Sequence, residues 1–411
     1  MNFNDKALSS ALVLVWKHLP LAEPLADRLL KRTLHFTDAF WSAEIVFSPT
    51  KIRALKEEGS SLFRDLPDTL QPGFFLATLE RYRGPCIAVV KRLGEVVGVV
   101  YGWEMMLRGI PTGCLYVDES LELAVATTKE HRESVLRMAL SAWLNSGRIG
   151  ALRITLPRES RDVDTVREVA SAYSVQRSEE LRELHPILSL PPSYEDFEKT
   201  LGSNTRKHIR QYRGYSQNNN QHYVRNMDVC EFRTAVAMLS EKMKFAVTSE
   251  EVQRILDMAS ELSVEKRMLA GLRAEDGEWV AAVMGWKESG RGVLVDQFND
   301  DMKRSNGDGI EVQLRSNSTS TLLRSFLIEQ LIDEGFEALW VYGATGGFLT
   351  RYTQRLPGVT IYLDRPTLLW RTVRAIAELA KRRLPKKIAN KLDWINPPKT
   401  PPPAGNLSET A

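Results

Sequence analysis

One segment of this chain is written twice, and that repeat constrains the fold more than any other feature. Gly94-Glu95-x-Val97-x-x-Val100-x-Gly102-Trp103 returns with identical spacing as Gly277-Glu278-x-Val280-x-x-Val283-x-Gly285-Trp286. Each copy follows an apolar run (87–90 and 268–272) and places a Gly-Glu turn before alternating apolar residues, which is the pattern of a β-hairpin. A second correspondence lies downstream. Leu136-Arg137, Leu140, Leu144 and Ala151-Leu152 match in offset Leu323-Arg324, Leu327, Leu331 and Ala338-Leu339. Leucines four apart share a helix face. Both halves therefore read as a hairpin, an amphipathic helix and a buried strand (151–156; 338–342), so the chain is expected to carry two similar α/β domains. The period is too long for a solenoid.

The second half carries the fuller set of elements: a strand at 221–227, helices at 229–243 and 249–264, and a meander of strands at 268–273, 279–287, 292–298 and 309–314. A turn at 315–320, a helix to Glu334, the strand ending at Tyr342, a short helix at 348–355 and a last strand at 359–363 complete it. The loop 300–308 is too rich in Asp, Asn and Gly to continue a strand.

Between the halves, Leu188-Ser189-Leu190-Pro191-Pro192 closes the first domain, and Ser193 is placed to cap a helix with Glu195 and Asp196 in its first turn. The stretch SNTRKHIRQYRGY that follows is strongly basic, and Arg206, Arg210 and Arg213 fall at i, i+4 and i+7 on one stripe. The stripe reads equally as a ligand-binding face or as the solvated side of a linking helix.

Together these pieces resemble the GNAT superfamily of acyltransferases, in the FemAB-like branch whose bacterial members are often labelled cellulose-biosynthesis (CelD-like) proteins. The resemblance covers most of residues 80–365. Tyr194-Glu195-Asp196-Phe197 with Leu201-Gly202-Ser203-Asn204-Thr205-Arg206-Lys207-His208-Ile209-Arg210 looks like the family's interdomain helix, the order of elements over 221–363 matches the GNAT order, and Arg315-x-x-Ser318-x-Ser320 sits where the superfamily has its Arg/Gln-x-x-Gly-x-Gly/Ala pyrophosphate loop. Here both glycine positions are serine. The resemblance implies α/β (α+β) architecture, with two tandem GNAT-like domains whose mixed, mostly antiparallel central sheets are flanked by helices. It also implies acetyl-CoA or another acyl-CoA as co-substrate, held by Arg315, Asn317, Ser318, Thr319, Ser320 and Thr321. A helix start with free N–H groups and hydroxyl donors suits phosphate; the same run also reads as a plain helix cap. Where many relatives have Gly-Asp-x-x-Tyr-Lys, this chain has Gly346-Gly347-Phe348-Leu349-Thr350-Arg351, with Tyr352 one turn away.

Acyl transfer from a thioester needs alignment, a base for the acceptor, donors for the oxyanion and an acid for the thiolate. Asp296, a carboxylate within an apolar strand, is the expected base, and Tyr352 the expected phenol. The cleft is expected between the strand ending at Leu314 and the strand 338–342. Arg206 and Arg210 are the expected acceptor-side contacts.

Other chemistries lack their residues. There is no phosphate loop of the Gly-x-x-x-x-Gly-Lys-Ser/Thr type, no Gly-x-Gly-x-x-Gly, no Gly-x-Ser-x-Gly, and none of the six histidines lies four residues from another. Cys86, Cys114 and Cys230 are too scattered for a disulfide scaffold or zinc site, so a reducing cytoplasm and no metal are expected. The 55 basic residues nearly balance the 52 acidic ones, so bulk charge names no partner, and no DNA binding is expected.

The expected divisions are an N-terminal GNAT-like domain at 1–190, a basic interdomain helix at 191–220, a C-terminal acyltransferase domain at 221–365, and basic amphipathic helices with a disordered Pro-rich tail at 366–411. The basic segment suggests peripheral contact with an anionic membrane at its inner face, through helices attached outside the core. The expected activity is acyl transfer to an amine or hydroxyl of a sugar, cell-envelope precursor or small metabolite. Two alternatives stand beside it. One is a FemAB-type transferase using aminoacyl-tRNA, with phosphates on Arg206, Lys207, Arg210 and Arg213; the other is a non-catalytic GNAT-fold binding protein.

Overall fold

The structure, a computed structural model, describes residues 34–37, 40–107, 109–118, 124–243, 247–300, 317–342, 348–365 and 367–383. The chain divides into two compact units, the first built from residues up to 66, 70–182 and from 357 onward, the second from 67–69 and 183–356.

Unit 1 begins with β1 (Leu34–Thr37) and β2 (Trp41–Val46), then α1 (Pro49–Glu58), α2 (Ser60–Arg64) and α3 (Pro72–Thr78). The strands β3 (Arg83–Pro85), β4 (Ile87–Arg92), β5 (Glu95–Val100), β6 (Trp103–Leu107), β7 (Ile110–Asp118) and β8 (Val125–Thr127) follow, and α4 (Arg132–Asn145), β9 (Ala151–Pro157) and α5 (Asp162–Ala172) complete the run. The hairpin expected from the first repeat is β4–β5. It turns on Leu93 and Gly94, both at positive φ, as a tight two-residue hairpin requires. Alternation along β4 sorts its side chains between two cores. Ile87 and Val89 pack with Ile52, Leu55, Phe63 and Phe75 of α1–α3, while Ala88 and Val90 face Leu140 and Trp143 of α4.

The strand β10 (Gln176–Ser189) then leaves unit 1 at residue 182 and continues in unit 2. There come α6 (Tyr194–Thr200), α7 (Ser203–Asn218), β11 (His222–Val224), α8 (Val229–Lys242), α9 (Ser249–Glu261), β12 (Arg267–Arg273), β13 (Trp279–Glu288), β14 (Arg291–Asn299), α10 (Asn317–Asp333) and β15 (Ala338–Val341). The sheet of unit 2 runs β11-β12-β13-β14-β15-β10, antiparallel except for the parallel β14–β15 pair. One face packs against α6, α7 and α10 through Phe197, Ile209, Leu323, Leu327 and Leu331.

The chain finally re-enters unit 1 as β16 (Gln354–Asp364), which pairs with β9 from Gly358 beside Pro157 to Asp364 beside Ala151. Thus β10, following the first half, supplies a strand to the second sheet, and β16, following the second half, supplies a strand to the first. A last helix, α11 (Leu368–Arg383), lays Trp370, Val373 and Ala377 on Cys114 and Ala151 of unit 1. This corrects the expectation of a helix attached outside the core: from Leu369 to Ala377 it packs into unit 1. The expected strand 309–314 and the tail lie outside the described residues.

Candidate active site

Hairpin, helix and parallel strand recur in both units, and among the described residues the parallel pair of unit 2 opens. In unit 1, β7 and β9 are paired from Cys114 beside Ala151 to Asp118 beside Thr155, up to the last residue of β7. In unit 2, β14 and β15 are paired from Arg291 beside Ala338 only to Leu294 beside Val341, and the Tyr342 N–H closes the run by donating to the Leu294 carbonyl at 2.7 Å. From there β14 continues to Asn299, paired among the described residues with β13 alone. The divergence has a local cause. Met284 opposes Asp296 and Gly285 opposes Leu294, so Val295 is one residue more than β13 can match, and such a bulge bends and twists its strand. The result is a fork between β14 and β15. The parallel partner of 338–341 is 291–294, and 292–295 are buried on both faces as suits a central parallel strand, whereas the expected partner ending at Leu314 lies outside the described residues.

Alternation beyond the bulge sends side chains to both faces of the fork. Asp296 faces α9, where Arg254 Nη2 lies 3.9 Å from its Oδ2. Gln297 faces α10, where Arg324 Nε donates to its Oε1 at 2.8 Å, and the Gln297 amide donates in turn to Asn299 Oδ1 at 2.9 Å. Arg324 is buried, and burial pushes its guanidinium down to about 10.

At the crotch of the fork stands Tyr342, 36 % exposed. Leu339 and Val341 point into the core beneath α10, so Tyr342 points to the opposite face, the one Asp296 takes. Two residues beyond the last pair, Ile187 with Trp340, the same antiparallel register brings His185 to Tyr342, and their rings lie 4.6 Å apart. His185 and Tyr342 escaped the sequence reading because nothing local marks them. Only the antiparallel register between β10 and β15, strands about 150 residues apart in the chain, makes them neighbours.

Of the expected pyrophosphate loop, the described residues are helical. Asn317, Ser318, Thr319, Ser320 and Thr321 form the opening turns of α10 itself. Glycine at 318 and 320 would favour leaving the helix; serine and threonine adopt helical φ and ψ at less cost than glycine, and the helix starts earlier than the expected Leu322. Thr319 and Ser320 are half-buried and Thr321 is buried. Arg315 lies outside the described residues. The first N–H groups of a 17-residue helix, with hydroxyls beside them and the buried Arg324 two turns in, form a donor set that fits a phosphate-bearing co-substrate.

The other expected residues are engaged within the protein. The Tyr352 phenol accepts the Gly202 N–H at 3.0 Å and donates to Thr205 Oγ1 at 3.1 Å, pinning the start of α7. Arg206 donates to the Lys199 and Leu201 carbonyls that end α6, and Arg210 pairs with Glu198 at 2.6 Å. Arg213 lies between the rings of Tyr194 and Phe326 and reaches Glu329 at 2.7 Å, fastening α7 to α10. Among the described residues no group of three or more His, Cys, Asp or Glu side chains is placed to hold a metal, and no helix is long and apolar enough to cross a membrane.

No protein-family model and no curated relative matches the sequence. Solved structures do. A conserved protein of unknown function from Bacteroides thetaiotaomicron is similar at a TM-score of 0.50 and 10 % identity, over 78 % of this chain and all of that one. L-PGS from Bacillus licheniformis is similar at 0.47 and 13 %, over 81 % and 97 % of the two chains. A tandem GNAT protein from the clavulanic acid biosynthesis pathway is similar at 0.40 and 12 %, over 78 % and 98 %. The architecture is mixed α/β, two units whose mostly antiparallel sheets are flanked by helices.

Proposed function

We propose that unit 2 is a GNAT-type acyltransferase that moves an acyl group from acyl-CoA to an amine or hydroxyl of a sugar, cell-envelope precursor or small metabolite. The observation that carries this reading is the fork, where a bulge at Val295 separates two parallel strands beside the start of α10. An open strand edge offers N–H and C=O groups to an extended, amide-bearing arm, and the start of α10 offers donors to the diphosphate at its other end. Bound acyl-CoA supplies an already activated thioester.

In this reading the chain's own residues align and move protons. His185 accepts the proton of the acceptor, since a neutral imidazole is the ordinary base near neutral pH. The acceptor nitrogen or oxygen forms its bond to the acyl carbon, the C–S bond breaks, and Tyr342 returns a proton to the leaving sulfur. Asp296, held beside Arg254, orients the acceptor on the same face. The aminoacyl-tRNA alternative draws on the arginine stripe, whose members bond to the protein's own carbonyls and carboxylates.

Calorimetric titration with acetyl-CoA and desulfo-CoA tests the donor. Binding of both is expected, and Ser320→Asp should weaken it by more than ten-fold, because a carboxylate at the helix start opposes the phosphates. His185→Gln should lower thiol release from acetyl-CoA in the presence of amino-sugar acceptors by about 10²-fold or more while leaving donor binding unchanged. Absence of heat at millimolar acetyl-CoA would leave the non-catalytic binding protein as the better account, and retention of tRNA in its place would favour the aminoacyl-tRNA enzyme.

A further inference from the structure

The helix α11 has two faces of different fate. Trp370, Val373 and Ala377 are spent on unit 1, where they cover Cys114 and Ala151 with Leu369, Ile376 and Tyr116 around them. The opposite side is left uncovered by the described residues. Leu368 is 83 % exposed and Leu379 58 % exposed, among the most exposed large apolar side chains of the described residues. With Ala375 between them they fall at i, i+7 and i+11, one line along the outer face of the helix. Arg371 and Arg374 are exposed beside this line, and the final turn adds Lys381, Arg382 and Arg383 in sequence, with Glu378 as the one acidic residue from Leu368 to Arg383. Lys386, Lys387 and Lys391 follow in the chain.

An apolar ridge bordered by guanidinium groups matches a surface that presents negative charge over hydrocarbon. Phosphates of a nucleic acid would satisfy the arginines but give Leu368 and Leu379 nothing to enter. We infer that the outer face of α11 is a docking surface for an anionic lipid membrane, used with the helix still seated on unit 1. The tryptophan side, the stronger apolar stripe, is held by the protein itself, and the leucine and arginine side meets the lipid. Each basic residue near such a surface contributes about five-fold in partitioning, and the contribution is screened by salt.

Flotation of the full chain with vesicles of equal parts phosphatidylglycerol and phosphatidylcholine, against vesicles of phosphatidylcholine alone, tests the inference. The chain is expected to float with the anionic vesicles at low salt, to be released at high salt, and to ignore the neutral ones. Arg371→Gln with Arg374→Gln should reduce partitioning by about 25-fold, and Leu368→Ser with Leu379→Ser should also reduce it. Cys114, fully buried beside α11, should stay closed to a thiol reagent on the vesicles as in solution. No flotation at low salt, flotation unchanged by the arginine pair, or retention on immobilised tRNA without flotation would each overturn the inference. Labelling of Cys114 only when vesicles are present would overturn the seated geometry, since it requires the Trp370 face to leave unit 1.

Discussion

Gly285 has no room for a side chain. A Cβ there would lie 2.0 Å from the Val293 carbonyl oxygen, at the point where β13 and β14 go out of step. Gly214, in the middle of α7, has nothing within 4 Å of the same position. Two alanine substitutions therefore have opposite expected signs. Gly285→Ala should destabilise by about 2–4 kcal/mol through a forced backbone shift. Gly214→Ala should stabilise by roughly 0.5–1 kcal/mol through the entropy of the unfolded chain. Urea midpoints of the two variants check both, and a neutral Gly285→Ala would mean that the bulge is not fixed by close approach. At this scale the sequence discloses residue types better than their roles. Arg206, Arg210 and Arg213 are visible as a stripe, but the partners that engage them, Glu198 and the closing carbonyls of α6 and Glu329 of α10, come from two other helices, and helical spacing carries no trace of a partner. Tyr352 is visible as a phenol near the expected site, yet its hydrogen bonds go to Gly202 and Thr205.

Elements defined by local pattern were the most legible. Ser193 caps α6 as its sequence suggests, and the structure adds the Asp228 cap of α8 and the Thr248–Glu251 capping box of α9. The start of α10 was less so, because Ser and Thr serve both as cap and as helix interior, and only the surrounding packing chooses. The tie between α5 and β10 offers a pH test of one such packing. Arg167 donates to both oxygens of Glu179, at 3.0 and 2.8 Å, and this holds the Glu179 carboxyl below the usual carboxylate range. The folded state thus binds that proton less tightly than the unfolded chain. The stabilisation is present above the ordinary carboxylate pKa and is lost as pH falls through the lower folded value. Glu179→Gln should lower stability at neutral pH and shrink the difference between stabilities measured by urea titration at about pH 7 and about pH 3. An unchanged difference would show that the pair contributes nothing to the acid response.

For the whole molecule, the repeat disclosed two halves but not their exchange of strands. The repeated pattern ends at β9 in one half and β15 in the other, and where β10 and β16 then go is decided by pairings between residues far apart in the chain. Local periodicity is blind to these. Cutting at the expected boundary tests the exchange: a fragment of residues 1–190 lacks β16, and a fragment of 191–411 lacks β10. Each alone should fail to unfold cooperatively, and the two expressed together should co-elute in size-exclusion chromatography. Independent, cooperative folding of either fragment would show that the exchanged strand is dispensable. The same wiring sets a timetable during synthesis. The edge of β9 that β16 will cover emerges from the ribosome roughly two hundred residues before its partner, a wait of about 10–40 s at ordinary elongation rates. Through that interval the nascent first half carries an uncapped strand of buried-type residues, Leu152, Ile154 and Leu156, an edge open to pairing with other chains until β16 arrives to close it.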